Sequence, residues 1–180
     1  MNNTANSTTH NVRLAIEKNW DGKIAERSER ASVIFCVNDQ QLGIQIEAPF
    51  HGDPPPSAPA GEFEGLWNYE VVELFLLGTN GHYLEIEIGP HAHFLIYHLC
   101  GIRQVARTLS PALCKTRIAE SGWEGSLTLS LDQSILPFSH VNAYAIHGQG
   151  ADRRYLSTFP VPGKVPDFHQ PGYFGYIGDL

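Results

Sequence analysis

Glu73, Glu85 and Glu87 are the residues whose type and spacing bear most directly on chemistry. They alternate with apolar residues along two stretches, Val71-Val72-Glu73-Leu74-Phe75-Leu76 and Tyr83-Leu84-Glu85-Ile86-Glu87-Ile88. Alternation of period two is the mark of a β-strand, whose successive side chains face opposite sides. The link between the stretches decides whether the acids meet. A two-residue loop at Asn80-Gly81 would set Glu85 and Glu87 opposite Leu76 and Leu74. A three-residue loop, Thr79-Asn80-Gly81 with Gly81 left-handed, sets Glu73 opposite Glu87 and Phe75 opposite Glu85. Only the second register keeps Leu74, Leu76, Leu84, Ile86 and Ile88 on one buried face, so it is the one expected. It gathers Glu73, Glu85, Glu87 and Tyr83 on the other face. Opposed carboxylates repel, so this face needs a cation, an arginine or a proton. Arg103, Arg153 and Arg154 are the candidate neutralising charges.

A carboxylate-rich face suits polyhydroxylated ligands, because each carboxylate accepts several hydrogen bonds. Aromatic rings beside it would offer a platform to the C–H face of a sugar. The plain alternative is a solvated sheet face. A Glu73–Glu87 pair sharing one proton could also act as acid and base, since repulsion splits the two titrations. Histidine is the second constellation: His91-Ala92-His93 resembles a metal-ligand spacing, and His147 ends another strand. Pro90 beside His91 points to a turn there instead. The expectation is no metal centre and no cofactor, with His91, His93 and His147 the residues that would form a metal site. Gly-x-Ser-x-Gly, HExxH, Gly-x-x-x-x-Gly-Lys and Gly-x-Gly-x-x-Gly are all missing.

The elements that must position these groups read as strands. Segments 12–16, 32–37, 42–46, 69–77, 83–88, 93–99, 112–119, 123–130, 141–148 and 153–159 carry strand patterns. Residues 131–136 read as a helical turn. Residues 49–61 are too rich in proline for a helix or an inner strand and form a long loop. The segment from 160 to 180 reads as an ordered loop. The expected fold is all-β, an antiparallel β-sandwich of about ten short strands. Residues 1–10 read as a disordered lead and 11–180 as a single β-sandwich domain.

Composition bounds the partners. The 180 residues hold 12 Lys plus Arg against 19 Asp plus Glu, a net charge of −7. That balance disfavours nucleic acid and anionic membranes, both of which select for basic surfaces. The three cysteines make an odd number without a CxxC motif, so no disulfide framework is indicated. No apolar leader opens the chain and no apolar run approaches a membrane span. A cytoplasmic protein is expected, in which the sequons at Asn2 and Asn6 would stay unused.

Two further stretches carry a resemblance. Leu66-Trp67-Asn68-Tyr69-Glu70-Val71-Val72-Glu73-Leu74-Phe75-Leu76 with the Tyr83–Ile88 strand is one, and Pro166-Asp167-Phe168-His169-Gln170-Pro171-Gly172-Tyr173-Phe174-Gly175 is the other. Together they resemble the family 9-like carbohydrate-binding modules, related to DOMON domains, over roughly residues 40–180. The resemblance implies a β-sandwich with its ligand against one sheet face. It implies that Trp67, six residues before Glu73, stacks on a sugar while Glu73 hydrogen-bonds to it. The second stacking Trp falls at Phe168, and an Arg of the next strand falls at Glu85. A charge is thereby reversed: Arg donors become Glu acceptors, which suits a ligand bringing donors or positive charge of its own. Trp20-Asp21-Gly22, Ala48-Pro49-Phe50, Gly89-Pro90-His91, Ala145-Ile146-His147-Gly148 and Pro160-Val161-Pro162 extend a closer resemblance along nearly the whole chain. They are similar to the family whose human member is encoded by open reading frame 33 of chromosome 4. That match implies the same fold and brings no activity.

The leading expectation is a non-catalytic binding module for a small polar, carbohydrate-like ligand. Trp67 and Phe168 would stack, Glu73, Glu85 and Glu87 would hydrogen-bond beside Tyr83, and Arg154 and His169 would sit at the rim. The plain alternative for Trp67 and Phe168 is burial in the core. The other readings are a hydrolase-like enzyme using the acidic pair or the histidines, and a protein-interaction domain. The last would use the proline loop for docking or an edge strand for homodimer pairing.

Overall fold

The computed structural model describes residues 11–180. The expected disordered lead and the two sequons lie outside the described residues. The fold is all-β, with antiparallel pairing except for one short parallel contact. One sheet has five strands in the order β1-β3-β4-β11-β10: β1 Asn11–Ile16, β3 Ala31–Asn38, β4 Gln41–Ala48, β10 Leu113–Ala119 and β11 Gly122–Ser130. The other runs β2-β13-β12-β6-β7-β8-β5: β2 Lys18–Asn19, β5 Gly61–Glu62, β6 Val71–Gly78, β7 Tyr83–Ile88, β8 His93–Leu99, β12 Phe138–His147 and β13 Arg154–Ser157. Two short strands complete it, β9 Val105–Thr108 on β8 and β14 Gly175–Tyr176 on β12.

Alternation explains the packing between the sheets. Leu14, Ile16, Val33, Phe35, Ile44, Ile46, Trp123, Leu127 and Leu129 face inward from the five-stranded sheet. Val72, Leu74, Leu76, Leu84, Ile86, Ile88, Val141 and Ala143 meet them from the larger one. The register of β6 and β7 is the expected one: Glu73 pairs with Glu87, Phe75 with Glu85 and Leu74 with Ile86. Residues 79–81 close the hairpin, with Gly81 at φ +81° and its amide donating to the Gly78 carbonyl at 3.2 Å. A side chain at that φ is disfavoured, which is why glycine ends the loop.

The strand ends differ where tertiary pairing overrides pattern. β12 begins at Phe138, earlier than the alternation suggested, because a bulge between Phe138 and His140 lets irregular residues join the ladder. β13 stops at Ser157. β2, β5, β9 and β14 are too short to leave a periodic trace in sequence. The turn foreseen at 131–136 is the 3₁₀ turn Gln133–Ile135.

The outer face of the nine-stranded sheet is not a wet one. Val71, Phe75, Tyr83, Leu95, Tyr97, Leu99, Tyr144 and Ile146 form a second apolar layer there. Leu66 covers it from one side, and Val161, Phe168 and Phe174 cover it from the C-terminal segment. The segment read as an ordered loop therefore acts as a third layer. It hides the face on which the acids stand.

Candidate functional site

On that outer face the registers fix a grid. Tyr144, Glu73, Glu87 and Leu95 form one cross-strand row, and Asn142, Phe75, Glu85 and Tyr97 form the next. Residues in such rows are near neighbours, and diagonal ones lie only about 7–8 Å apart. Glu73 and Glu85 are one diagonal. Above them the covering layer parts into a cleft of about 370 Å³, within the range of small-ligand sites. Its lining includes Glu64, Trp67, Glu73, Glu85, Arg103 and Arg153. Tyr97, Tyr155, Asp167, Phe168 and His169 complete the walls.

Trp67 reaches the cleft because of a short turn. Gly65, at φ +82°, opens the 3₁₀ turn Leu66–Asn68, in which Leu66 is fully buried and Trp67 is turned outward. Trp67 is 40% exposed, so its ring stands at the rim instead of plugging the core. Arg153 holds the turn from outside, donating to the carbonyls of Trp67 (2.6 Å), Tyr69 (3.3 Å) and Gly148 (2.9 Å). Its guanidinium also lies 5.7 Å from the Tyr155 ring centre.

The opposite wall is a connected network. The Arg103 guanidinium donates to Asp167 at 2.7 Å, and Asp167 also accepts from the His169 amide at 3.1 Å. The Arg103 amide donates to the Tyr83 hydroxyl at 3.1 Å, and that hydroxyl lies 2.8 Å from His169 Nδ1. With the hydroxyl oxygen accepting from Arg103, its own proton has His169 Nδ1 as acceptor. The imidazole then carries its hydrogen on Nε2, 3.5 Å from a Glu85 oxygen. Burial, helped by Arg103 and opposed by Asp167, pushes His169 down to about 4, so the ring is neutral at neutral pH.

The three acids are unequal. Glu73 is 2% exposed and has no hydrogen-bond partner among the described residues, yet it lines the cleft. Burial raises its carboxyl well above the usual range and Glu85 adds to this, against the pull of Arg153. Glu85 is held at about 7, by burial first, with Arg103 opposing and Glu64 adding to the rise. Glu87 is wholly covered, and neither of its oxygens has a hydrogen-bond partner. Burial raises it well above the usual range, and Glu73, Glu85 and Glu64 add to that against a small opposing effect of the Trp67 amide. At neutral pH Glu85 is close to half-ionised, and burial favours the protonated forms of Glu73 and Glu87. Bound protons, with Arg103 and Arg153 nearby, are how the repulsion foreseen between opposed carboxylates is eased.

The structure brings Trp67, Glu73, Glu85, Phe168 and His169 to one cleft. Phe168 contributes little surface, being 8% exposed and stacked at 3.7 Å on Tyr144. Tyr83 and Glu87 lie beneath the lining. Arg154 lies elsewhere. It stands opposite His147 in the β12–β13 ladder, and its guanidinium is bound to Glu29 at 2.8 Å and to Asn19 at 3.1 Å. Arg153, one residue earlier and outside the strand, is the arginine at the cleft. The histidines do not converge. Ala92 is left-handed at φ +61° and the Gly89 amide bonds His93, so His91 sits in a tight turn and shares no strand face with His93. His93 reaches the Ala58 carbonyl, and His147 stacks on His51 at 3.5 Å. Among the described residues no three His, Cys, Asp or Glu side chains gather at metal-binding distance.

Glu64, Tyr97 and Asp167 line the cleft without having been singled out in the sequence. Glu64 accepts from the Tyr97 hydroxyl. Tyr97 had a usable signal, since it alternates with Leu95 and Leu99 and pairs with Glu85. Glu64 and Asp167 sit in irregular segments, where period carries no information.

The fold is a β-sandwich like that of family 9 carbohydrate-binding modules. A "putative carbohydrate-binding protein" from Bacteroides uniformis superposes with a TM-score of 0.68 at 15% identity, covering 93% of this chain and 85% of that one. A family 9 carbohydrate-binding module from Caldicellulosiruptor kristjanssonii, in complex with cellotriose, gives 0.54 at 14% identity over 84% and 75%. Sequence relatives are nearer. The zebrafish homologue of UPF0462 protein C4orf33 is 38% identical over 168 residues, 88% of this chain and 85% of the relative. The human UPF0462 protein C4orf33 is 36% identical over 170 residues, covering 88% and 84%. The chain belongs to the UPF0462 family. No protein-family model matches it. Among the described residues no helix is long and apolar enough to cross a membrane.

Proposed function

We propose that this chain is a non-catalytic binding module for a small polar, carbohydrate-like ligand, taken in the cleft over Glu73 and Glu85. One observation carries the reading: a rim-exposed Trp67 shares a cleft with buried Glu73, which has no hydrogen-bond partner among the described residues. An aromatic plate beside unfilled hydrogen-bonding groups is what a ring bearing hydroxyls needs. Solved structures of the same fold support it, one of them a module holding cellotriose. The test is calorimetry of the wild type and Trp67→Ala against glucose, glucosamine, cellobiose and cellotriose. Binding that Trp67→Ala abolishes is expected. A wild type that binds no sugar at millimolar concentration ends the carbohydrate reading.

A second reading draws on Glu85. A carboxyl held at about 7 beside an open cleft has the poise of a general acid or base. Release of chromophore from nitrophenyl glycosides, lost in Glu85→Gln, would replace binding with hydrolysis.

A further inference from the structure

The polar groups of the cleft can be sorted by what they still lack. Arg103 is committed to Asp167, and Arg153 to three carbonyls. Glu64 is taken by Tyr97, and Asp167 by Arg103 and the His169 amide. His169 Nδ1 is taken by Tyr83, and the Tyr83 hydroxyl by Arg103 and His169. Among the acidic groups lining the cleft, Glu73 and Glu85 remain. Glu73 has no partner, and Glu85 has only the imidazole at 3.5 Å, too long for a good hydrogen bond. Both arginines are tied to protein oxygens, Arg103 through one nitrogen and Arg153 through two, while two carboxyl groups face the cleft unmatched.

We infer that the ligand of this cleft carries a protonated primary amine, as an amino sugar does, and that its ammonium seats against the carboxyls of Glu73 and Glu85. This rests on the carbohydrate-like reading of the cleft and narrows it. A neutral sugar brings acceptors as well as donors, and it brings no charge to set against the two unmatched carboxyls. An ammonium brings three donors and no acceptor. It also brings the positive charge that a buried acidic pair lacks. A quaternary ammonium would bring charge without N–H groups and leave the carboxyl oxygens unfilled. Trp67 remains free to cover the ring that bears the amine.

The charge balance predicts a second signature. Without ligand, burial favours the protonated form of Glu73, and Glu85 keeps about half a proton at pH 7. Against these carboxyls stand Glu87 from β7, Glu64, Arg103, Arg153, Asp167 and the neutral His169. An ammonium arriving among them favours the ionised carboxyls, so protons leave as it binds.

The experiment is titration calorimetry of the full chain at pH 7 with glucosamine, glucose, N-acetylglucosamine and cyclohexylamine, each in two buffers of different ionisation enthalpy. Glucosamine is expected to bind at least about tenfold tighter than glucose or N-acetylglucosamine. Its heat should depend on the buffer in the sense of proton release, and the preference should vanish in Glu85→Gln. The buffer dependence is read on the wild type, so it stands even if the variant folds poorly. Glucose binding as tightly as glucosamine overturns the amine inference and leaves the carbohydrate reading intact. Cyclohexylamine binding without any sugar keeps the amine and ends the carbohydrate reading. Failure of all four ends both.

Discussion

Glu70 and Glu73 are three residues apart at the head of β6, and both are almost wholly buried. Their surroundings differ completely. Glu70 accepts the amides of His51 (2.9 Å) and Asp53 (3.3 Å), so it pins the proline loop to the sheet. Around it every acid is similarly engaged: Asp53 accepts from the Gly148 amide at 2.6 Å, and Glu29 holds Arg154 at 2.8 Å. Among the described residues no group donates a hydrogen bond to Glu73, and neither oxygen of its neighbour Glu87 has a well-formed one. A buried carboxylate filled by backbone N–H groups is part of the scaffold, because removing it strands the donors. A buried carboxyl left empty at a cleft adds no such stability, and burial favours its protonated form.

The largest expected effect breaks the scaffold side of this pair. Glu70→Ala leaves two loop amides without an acceptor and should cost about 2–4 kcal/mol in urea unfolding. Glu73→Gln should lie within about 1 kcal/mol of the wild type, since no recorded hydrogen bond is lost and a carboxyl whose protonated form burial favours becomes an amide of the same shape. Equal losses at the two positions would mean that Glu73 has a structural partner after all.

The next effect concerns pH. Glu85 is raised from 4.5 to about 7, so between those values the folded state binds more protons than the unfolded one. Its contribution to stability is present at low pH and is lost as pH climbs through that window. The span is on the order of 3 kcal/mol. His147 and His169, both depressed from 6.5 to about 4, act with the opposite sign. They contribute above 6.5 and lose that contribution as pH falls toward 4. Raw stability curves therefore cancel in part. The difference between the wild type and Glu85→Gln, taken from pH 4.5 to 7, isolates the carboxyl and should show the wild type losing ground as pH rises. A flat difference would place Glu85 in contact with water.

Much of the site was legible because it stands on regular strands. The Glu73–Glu87 register followed from asking which loop length keeps Leu74 and Ile86 together, and the answer is a property of period two. Arg153 and Arg154 could not be separated that way. They are adjacent at a strand end, and a 3₁₀ turn at Gly150–Asp152 decides which one meets the cleft. The burial of the acidic face was also illegible. It depends on Val161, Phe168 and Phe174 folding back from a segment with no repeating pattern. The turn at His91 was legible from Pro90, since an i, i+2 spacing implies a shared face only where the backbone is extended.

A smaller effect sharpens the line between the two regions at the cleft wall. Tyr83→Phe removes the hydroxyl that accepts from the Arg103 amide and donates to His169. It should cost about 1–2 kcal/mol. With Nδ1 unpaired, His169 is free to carry its hydrogen on either nitrogen, so nitrogen chemical shifts of the imidazole should report a mixture of tautomers. Unchanged shifts would show that Asp167 and the backbone alone fix the ring.

The smallest stability effect should accompany the largest functional one, at Trp67. Its ring is two-fifths exposed, and the turn that bears it is held through backbone carbonyls by Arg153, not through the indole. Leu66, the buried residue of that turn, keeps its place when Trp67 is shortened. Trp67→Ala should therefore unfold within about 1 kcal/mol of the wild type while sugar affinity is lost. Arg154→Ala is the matching control on the other side of the comparison. It should weaken the Glu29 corner, whose carboxyl it leaves short of a cation, without changing affinity. If Arg154→Ala lowers affinity and Trp67→Ala does not, the ligand lies at the Glu29–His147 corner, and filled carboxylates rather than empty ones mark the site.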